Sequence, residues 1–367
     1  MRNIDVKEID RNMAIKDNIS DSIIWMNPLN KPFKIYGFPW LDKDGIYKRI
    51  KKEINLEIPE AVENLAYHTA GGQIKFKTDS SIIAIKVYLR NAANMYHMAA
   101  TGQCGFDLYM GYAGEKHNYC STVKYDQKKD FYQYELYNNP EDKRLKDVLI
   151  NFPLYEGVKE VEIGIENHSC ILPADDFKYD KRIVFYGTSI TQGGCASRPG
   201  MCYTNILSRM LEAECINLGF AGNGKGEREL AQVINKIDNK GIIVVDYEPN
   251  CISTDLYKET LPKFIETLRK ADSNIPIVVL SRPLFSKDLF YRKNIEDRIK
   301  RNKFAGNLVE NLNKSGDKKV YYLDMASQLQ DDFYEATVDG VHPTDYGFAI
   351  MAQIIYRKLK EIIQVNS

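Results

Sequence analysis

The spacing of apolar residues changes period once along the chain, and that change limits the possible folds more than any other feature. From about residue 73 to 166 the chain reads as strands separated by short polar connections, with apolar positions recurring every second residue in the clearest of them. In SIIAIKVYLR, for example, Ile83, Ile85, Val87 and Leu89 alternate with Ala84, Lys86, Tyr88 and Arg90. A period of two puts one set on each side of a pleated strand, so this run reads as a half-buried strand. VEIGIEN from Val161 alternates in the same way, and QIKFKTDS, GFDLYMG and DFYQYELY add β-rich runs with no helical period between them. The first half is therefore expected to be an all-β sandwich of jelly-roll type.

After Lys181 strands and helices alternate. Five short apolar runs, RIVFY (182–186), CINL (215–218), IIVVDY (242–247), PIVVLS (276–281) and VYYLD (320–324), are separated by stretches such as ETLPKFIETLRKA and NIEDRIKRNKFAGNLVENLNK. In the closing stretch FAIMAQIIYRKLKEII, Phe348, Met351, Ile355, Leu359 and Ile362 share one helical face. Such alternation predicts a parallel sheet covered by helices. A chain of 367 residues exceeds what one core usually serves. The polar segment ILPADDFKYDKR marks the join, giving a β-sandwich over 1–178 and an α/β domain over 179–367.

Fifty basic residues balance fifty acidic ones. The absence of a global field argues against nucleic acid or an anionic membrane as partner. The N-terminal stretch MRNIDVKEIDRNMAIKDNISDS lacks the apolar run of a signal peptide or membrane span, and the expectation is a cytoplasmic protein. Seven cysteines without a CxxC pair suit free thiols, and the scattered Cys and His residues disfavour a zinc site. His68, His97, His117 and His168 fall in the β half, where surface or core roles are expected. No cofactor and no metal are implied.

Ligands of open α/β sheets sit beyond the carboxyl ends of the strands. There the first strand runs into Gly187-Thr188-Ser189-Ile190-Thr191-Gln192-Gly193-Gly194, a small-residue turn able to present the Ser189 hydroxyl as a nucleophile. A serine needs a base, and the α/β half contains one histidine, His342, in Thr337-Val338-Asp339-Gly340-Val341-His342-Pro343. Asp339, three residues upstream, can hold the ring nitrogen that faces away from the serine. The loops after the second and third strands, Asn217-Leu218-Gly219-Phe220-Ala221-Gly222 and Tyr247-Glu248-Pro249-Asn250, carry a glycine N–H and an amide that could stabilise an oxyanion.

These four ordered blocks resemble those of the SGNH/GDSL hydrolases, and the resemblance covers the domain from 181 to 367. It implies a flavodoxin-like fold with Ser189 as nucleophile, His342 and Asp339 completing the triad, and Gly222 and Asn250 joining the Ser189 N–H in the oxyanion hole. The first block reads Gly-Thr-Ser-Ile where the family often has Gly-Asp-Ser-Leu. The third reads Glu248-Pro249-Asn250 where Gly-x-Asn-Asp is common. A subset of the family with an N-terminal β-sandwich is similar in this respect, and that subset is similar to acetyl esterases acting on carbohydrates. The expected activity is hydrolysis of a small acyl ester, acetyl on a sugar, through an acyl-enzyme on Ser189. The alternatives are a lipase acting on longer acyl chains and a glycan-binding protein with an inactive hydrolase domain.

The cluster Gly219-Phe220-Ala221-Gly222-Asn223-Gly224-Lys225-Gly226 could instead cradle a phosphate. However, Glu227 stands where a third fingerprint glycine belongs, and Lys225 is followed by Gly rather than Ser or Thr. Gly219 and Gly224 could be loop-forming neighbours of Gly222. Arg198, close after the nucleophile, is a candidate substrate contact, with a structural ion pair as the other reading. Trp25, Trp40 and the tyrosines of the first half suit core packing or sugar stacking. The sandwich could bind glycan, shape the pocket or stabilise its neighbour.

Overall fold

The computed structural model describes residues 10, 14, 19, 20, 22–112 and 114–366. Most of the polar N-terminal stretch, on which the cytoplasmic expectation rests, lies outside the described residues. Among the described residues no helix is long and apolar enough to cross a membrane.

The first half forms two antiparallel sheets. One orders β1 (Ile23–Met26), β9 (Val158–Glu166), β4 (Ile82–Leu89) and β7 (Phe131–Asn138). The other orders β10 (Ile171–Pro173), β3 (Gln73–Thr78), β8 (Lys146–Asn151), β5 (Asp107–Tyr112) and β6 (Asn118–Thr122), with β2 (Lys34–Tyr36) on β3. Ile83, Ile85, Val87 and Leu89 are all buried, as the alternation predicts. They pack with Ile74, Phe76, Leu108, Val148 and Phe152 of the facing sheet. Ala84 is buried too, because the tip of Trp25 and Ile23 cover Gly164 beside it.

The second half is a five-stranded parallel sheet in the order β12 (Ala213–Gly219), β11 (Tyr179–Gly187), β13 (Lys240–Asp246), β14 (Ile277–Leu280), β15 (Val320–Leu323). Numbered within the sheet this is 2-1-3-4-5, the flavodoxin-like order, whose switch point lies between β11 and β13. Both faces are covered. Helices Tyr203–Leu211 and Asp345–Asn366 lie on one side, while Arg228–Asn235, Thr254–Arg269 and Arg292–Lys314 lie on the other. Val184 and Ile216 point to one face while Ile183 and Cys215 point to the opposite one, which is why the strands read as continuous apolar runs.

Part of the first half packs into the interior of the second. Trp40, Ile50, Val62 and Ala66 join the core beneath β12, and Ala70, Met98, Leu154 and Tyr155 join the core on the opposite face. Arg49 is fully buried in this seam. It donates to the carbonyls of Leu65 and His68 on its own side and to those of Asn217 and Gly219 at the end of β12. Its guanidinium also lies over the Phe220 ring, 4.8 Å from the centroid.

Candidate active site

The turn after β11 is built to hold one hydroxyl in place. Thr188 caps the short helix Ser189–Gln192: its Oγ1 accepts from the Ile190 N–H, while its own N–H donates to Thr191 Oγ1. Thr191 in turn donates to Asp246 at the end of β13, at 3.0 Å. Gly187 is required here, because a Cβ would stand 2.0 Å from Thr191 Oγ1. Gly193, at φ +103°, ends the helix one turn on, and the N–H groups of Gly193 and Gly194 fold back onto the Ser189 carbonyl.

Asp246 accepts from Tyr203 as well, at 2.9 Å. Burial pushes its carboxyl up to about 7 against the lowering pull of the Tyr203 and Thr191 hydroxyls, and Glu248 adds to the rise. In the unfolded chain this group loses its proton near the ordinary aspartate value of 3.8, whereas the fold retains it until about 7. Its stabilising contribution is therefore complete below that lower value and lost as pH rises through the upper one. Asp246→Asn keeps an acceptor for both hydroxyls without the charge. The expected result is a flatter decline of Tm between about pH 4 and 7, the window set by the two values, than in the parent. Equal slopes would refute the assignment. Glu248, also raised by burial, contributes the same sign in both proteins.

Ser189 Oγ lies 2.8 Å from His342 Nε2, and His342 Nδ1 lies 2.7 Å from Asp339 Oδ2. A carboxylate only accepts, so Nδ1 carries the ring proton and Nε2 is left to accept from the serine. The Asp339 carboxyl is held below its usual range. Burial acts to raise it, but the backbone and side-chain donors of His342 and the Val341 N–H prevail. These N–H groups reach Asp339 Oδ1 at 2.8 and 3.0 Å.

The loop after β12 brings Gly222 to the same place. At φ +68° it leaves open space where a side chain would stand. Its neighbours have other uses: a Cβ on Gly219 would strike Gln192 N at 2.2 Å, and one on Gly224 would strike the Gly187 carbonyl at 2.1 Å. The loop is pinned by Gln192, whose Oε1 accepts from the Ala221 N–H while its Nε2 donates to His68 Nδ1. His68 stays neutral, pushed down to about 3 by burial and then by Arg49 and Arg90. Asn250, in the turn Glu248–Asn250 after β13, donates from its amide to the Phe220 carbonyl at 3.2 Å.

Ser189, Gly222, Asn250 and His342 all line one cavity of about 380 Å³. Most of the remaining wall is apolar, with Ile190, Ala221, Pro249 and Val341. Three residues missed in the sequence, Met95, His97 and Tyr155, come from the sandwich half, which therefore shapes the cavity. His97 is neither a plain surface nor a plain core residue: its ring stands 5.7 Å from that of His342. The scattered His and Cys residues do converge, since ligand atoms of His97, Cys195, Asp339 and His342 lie within 4.8 Å of one another. Cys195 is no rival nucleophile, because burial, then the Asp339 charge, pushes its thiol up to about 12.

Arg198 is not among the residues lining this cavity; the structure brings it to the junction of the two halves instead. It donates to Asp107 Oδ2 at 2.8 Å and to the Tyr109 hydroxyl at 2.6 Å, and stacks 3.7 Å from the Tyr119 ring centroid. Asp107 is completely buried and also accepts from the Gly200 N–H and from Asn151. This arginine therefore joins the two halves, a role that the sequence left open as an ion pair.

Residues 180–360 match the GDSL-like lipase/acylhydrolase family. Residues 23–171 match the domain found at the N-terminus of SGNH-hydrolase-type esterases, designated GxDLY, which stands here as Gly105-Phe106-Asp107-Leu108-Tyr109. Among solved structures, a protein named as a GDSL-like lipase from Bacteroides ovatus ATCC 8483 is 29% identical with a TM-score of 0.85, covering 93% of this chain and 98% of its own. A salicylyl-acyltransferase from a tetracycline biosynthetic pathway is 18% identical, with a TM-score of 0.74 over 94% of this chain and 98% of its own. A family two carbohydrate esterase from Clostridium thermocellum, in complex with cellohexaose, is 13% identical, with a TM-score of 0.61 over 87% and 98%. No curated protein matches.

Proposed function

Since the chain belongs to the SGNH/GDSL hydrolases and is a carboxylic ester hydrolase, we propose that it removes a small acyl group, acetyl, from a carbohydrate through an acyl-enzyme on Ser189. The observation that carries this reading is the Ser189–His342–Asp339 relay opening into the cavity shared with Gly222 and Asn250. In the first step the Ser189 oxygen bonds to the ester carbonyl carbon as its proton passes to His342 Nε2. Asp339 holds the imidazolium, and the N–H groups of Ser189 and Gly222 with the Asn250 amide receive the oxyanion. One such donor is worth about 3–4 kcal/mol of barrier. Collapse breaks the bond to the sugar oxygen, which leaves with the His342 proton. Water then attacks the acyl-enzyme by the same route and acetate departs, restoring Ser189.

The cavity, at about 380 Å³, is near the lower end of the ~300–1,000 Å³ that ligand sites occupy. That favours a short acyl chain. Tyr96, 96% exposed, presents an aromatic face beside His97, with ring centroids 4.6 Å apart. A flat apolar face next to a residue of the cavity wall suits a sugar ring, and the two-domain fold shared with family two carbohydrate esterases supports the same reading.

The test is a series of p-nitrophenyl esters from acetate to palmitate, together with acetate release from acetylated oligosaccharides. Expected is a maximum of kcat/KM at about two to four carbons, because a chain that outgrows a cavity of about 380 Å³ leaves its further methylenes in water, where each gains none of its ~0.8 kcal/mol transfer energy. A maximum at about eight carbons or beyond would replace this reading with a lipase.

A further inference from the structure

We propose that the same pocket is a zinc-responsive off-switch, in which His97, Cys195, Asp339 and His342 take up a divalent cation of zinc's class and arrest hydrolysis. The inference rests on the ester-hydrolase reading for its consequence, but not for the binding itself.

The four side chains come from separate places in the fold. His97 belongs to the sandwich segment between β4 and β5, Cys195 to the turn after helix Ser189–Gln192, and Asp339 and His342 to the loop before helix Asp345–Asn366. The donor set of two imidazoles, a thiol and a carboxylate is one that zinc accepts. Bonds of ~2.0–2.3 Å imply ligand atoms roughly 3.3–3.8 Å apart in a tetrahedron, so a group already within 4.8 Å needs to close by only about 1–1.5 Å.

Two further observations point to a ligand. His97 Nδ1 is buried without a hydrogen-bond partner, an arrangement that costs free energy unless something occupies it. Cys195 is almost fully buried and sits at φ +73°, a left-handed conformation unfavourable for a residue with a Cβ. Although the residue packs with the hydrophobic core, its sulfur lies within 4.8 Å of an Asp339 carboxylate oxygen.

Arrest follows from the chemistry. His342 uses Nε2 to accept the serine proton and Nδ1 to hold Asp339, so coordination through either nitrogen removes a catalytic function. Formation of the sulfur–metal bond releases the thiol proton to solvent, so inhibition strengthens as pH rises. Chelation with EDTA is expected to leave turnover intact or to raise it.

The experiment titrates the full chain with cobalt(II) and, separately, follows inhibition of p-nitrophenyl acetate hydrolysis by zinc. One equivalent of cobalt should give the visible bands of a four-coordinate site and a near-ultraviolet thiolate-to-cobalt band. Cys195→Ser should abolish the latter. His97→Ala, with His97→Gln as the conservative control and circular dichroism to confirm folding, should weaken cobalt binding. In each variant the zinc concentration for half-inhibition, taken against that variant's own metal-free rate, should rise by at least ~10–100-fold, the loss usual for disturbing a metal's surroundings. Wild-type metal affinity in either the Cys195 or the His97 variant, or no thiolate band in the parent, overturns the proposal. A raised KM in His97→Ala with unchanged zinc potency does the same and makes His97 a substrate contact. Because the cobalt spectrum needs no turnover, failure of the esterase reading registers separately.

Discussion

Ser189→Ala and His342→Ala are each expected to lower kcat for p-nitrophenyl acetate by about 10⁴- to 10⁶-fold, the scale on which members of a triad fail as a unit. The two losses should not multiply in the double variant, because the hydroxyl and the base form one device joined at 2.8 Å. Stability should hardly change: Ser189 is half-buried, and its backbone is fixed by Thr188, Thr191 and Gly193 rather than by its own side chain. Stopped assays with the proteins' far-UV circular dichroism and Tm measured in parallel decide the matter. A folded Ser189→Ala protein retaining more than about a tenth of the parent rate would remove Ser189 from the nucleophile's role.

The second large effect is on stability. Asp107→Ala is expected to cost about 3–5 kcal/mol in urea unfolding, since removing one member of a buried pair leaves the other charge uncompensated. The carboxyl is completely buried and is the acceptor for Arg198, Asn151 and the Gly200 N–H. Gly200 itself has no room for adjustment, because a Cβ there would meet Tyr109 at 2.5 Å and Asp107 at 2.7 Å. In a double-mutant cycle with Arg198→Met, the second change should recover part of the loss. A cost below about 1 kcal/mol for Asp107→Ala would mean that this junction is solvated rather than sealed.

How far these features can be read from the chain depends on the range of the interaction. The parallel sheet was legible because β11, β13 and β14 are buried on both faces, and such strands leave continuous apolar runs. The strands β1, β2, β6, β8 and β10 were less legible. They are short or lie at sheet edges, or, like β8, mix Lys146, Asp147 and Asn151 with apolar residues, Asn151 finding its partners Gln73 and Asp107 on the neighbouring strands. Ser189, His342 and Asp339 were legible because each follows a strand end or shares a loop, so local order implies proximity. His97 was not, since periodicity reports which face a residue occupies and says nothing of which distant loop will meet it. Arg198 shows the same limit: its charge was visible, but Asp107, ninety-one residues away, was not.

The placement of Arg49 has a consequence for how such a protein can be rearranged. Its guanidinium supplies donors to two carbonyls at the end of β12, immediately before the loop that carries Gly222. The polar linker between β10 and β11 is thus a seam in covalent order only. A fragment cut there would lose the hydrogen-bond donors that close its own sheet, along with the Trp40 and Ile50 that complete its interior. Exchange of parts between relatives would therefore keep function only if the stretch around Trp40 to Ala70 travelled with the parallel sheet it seals.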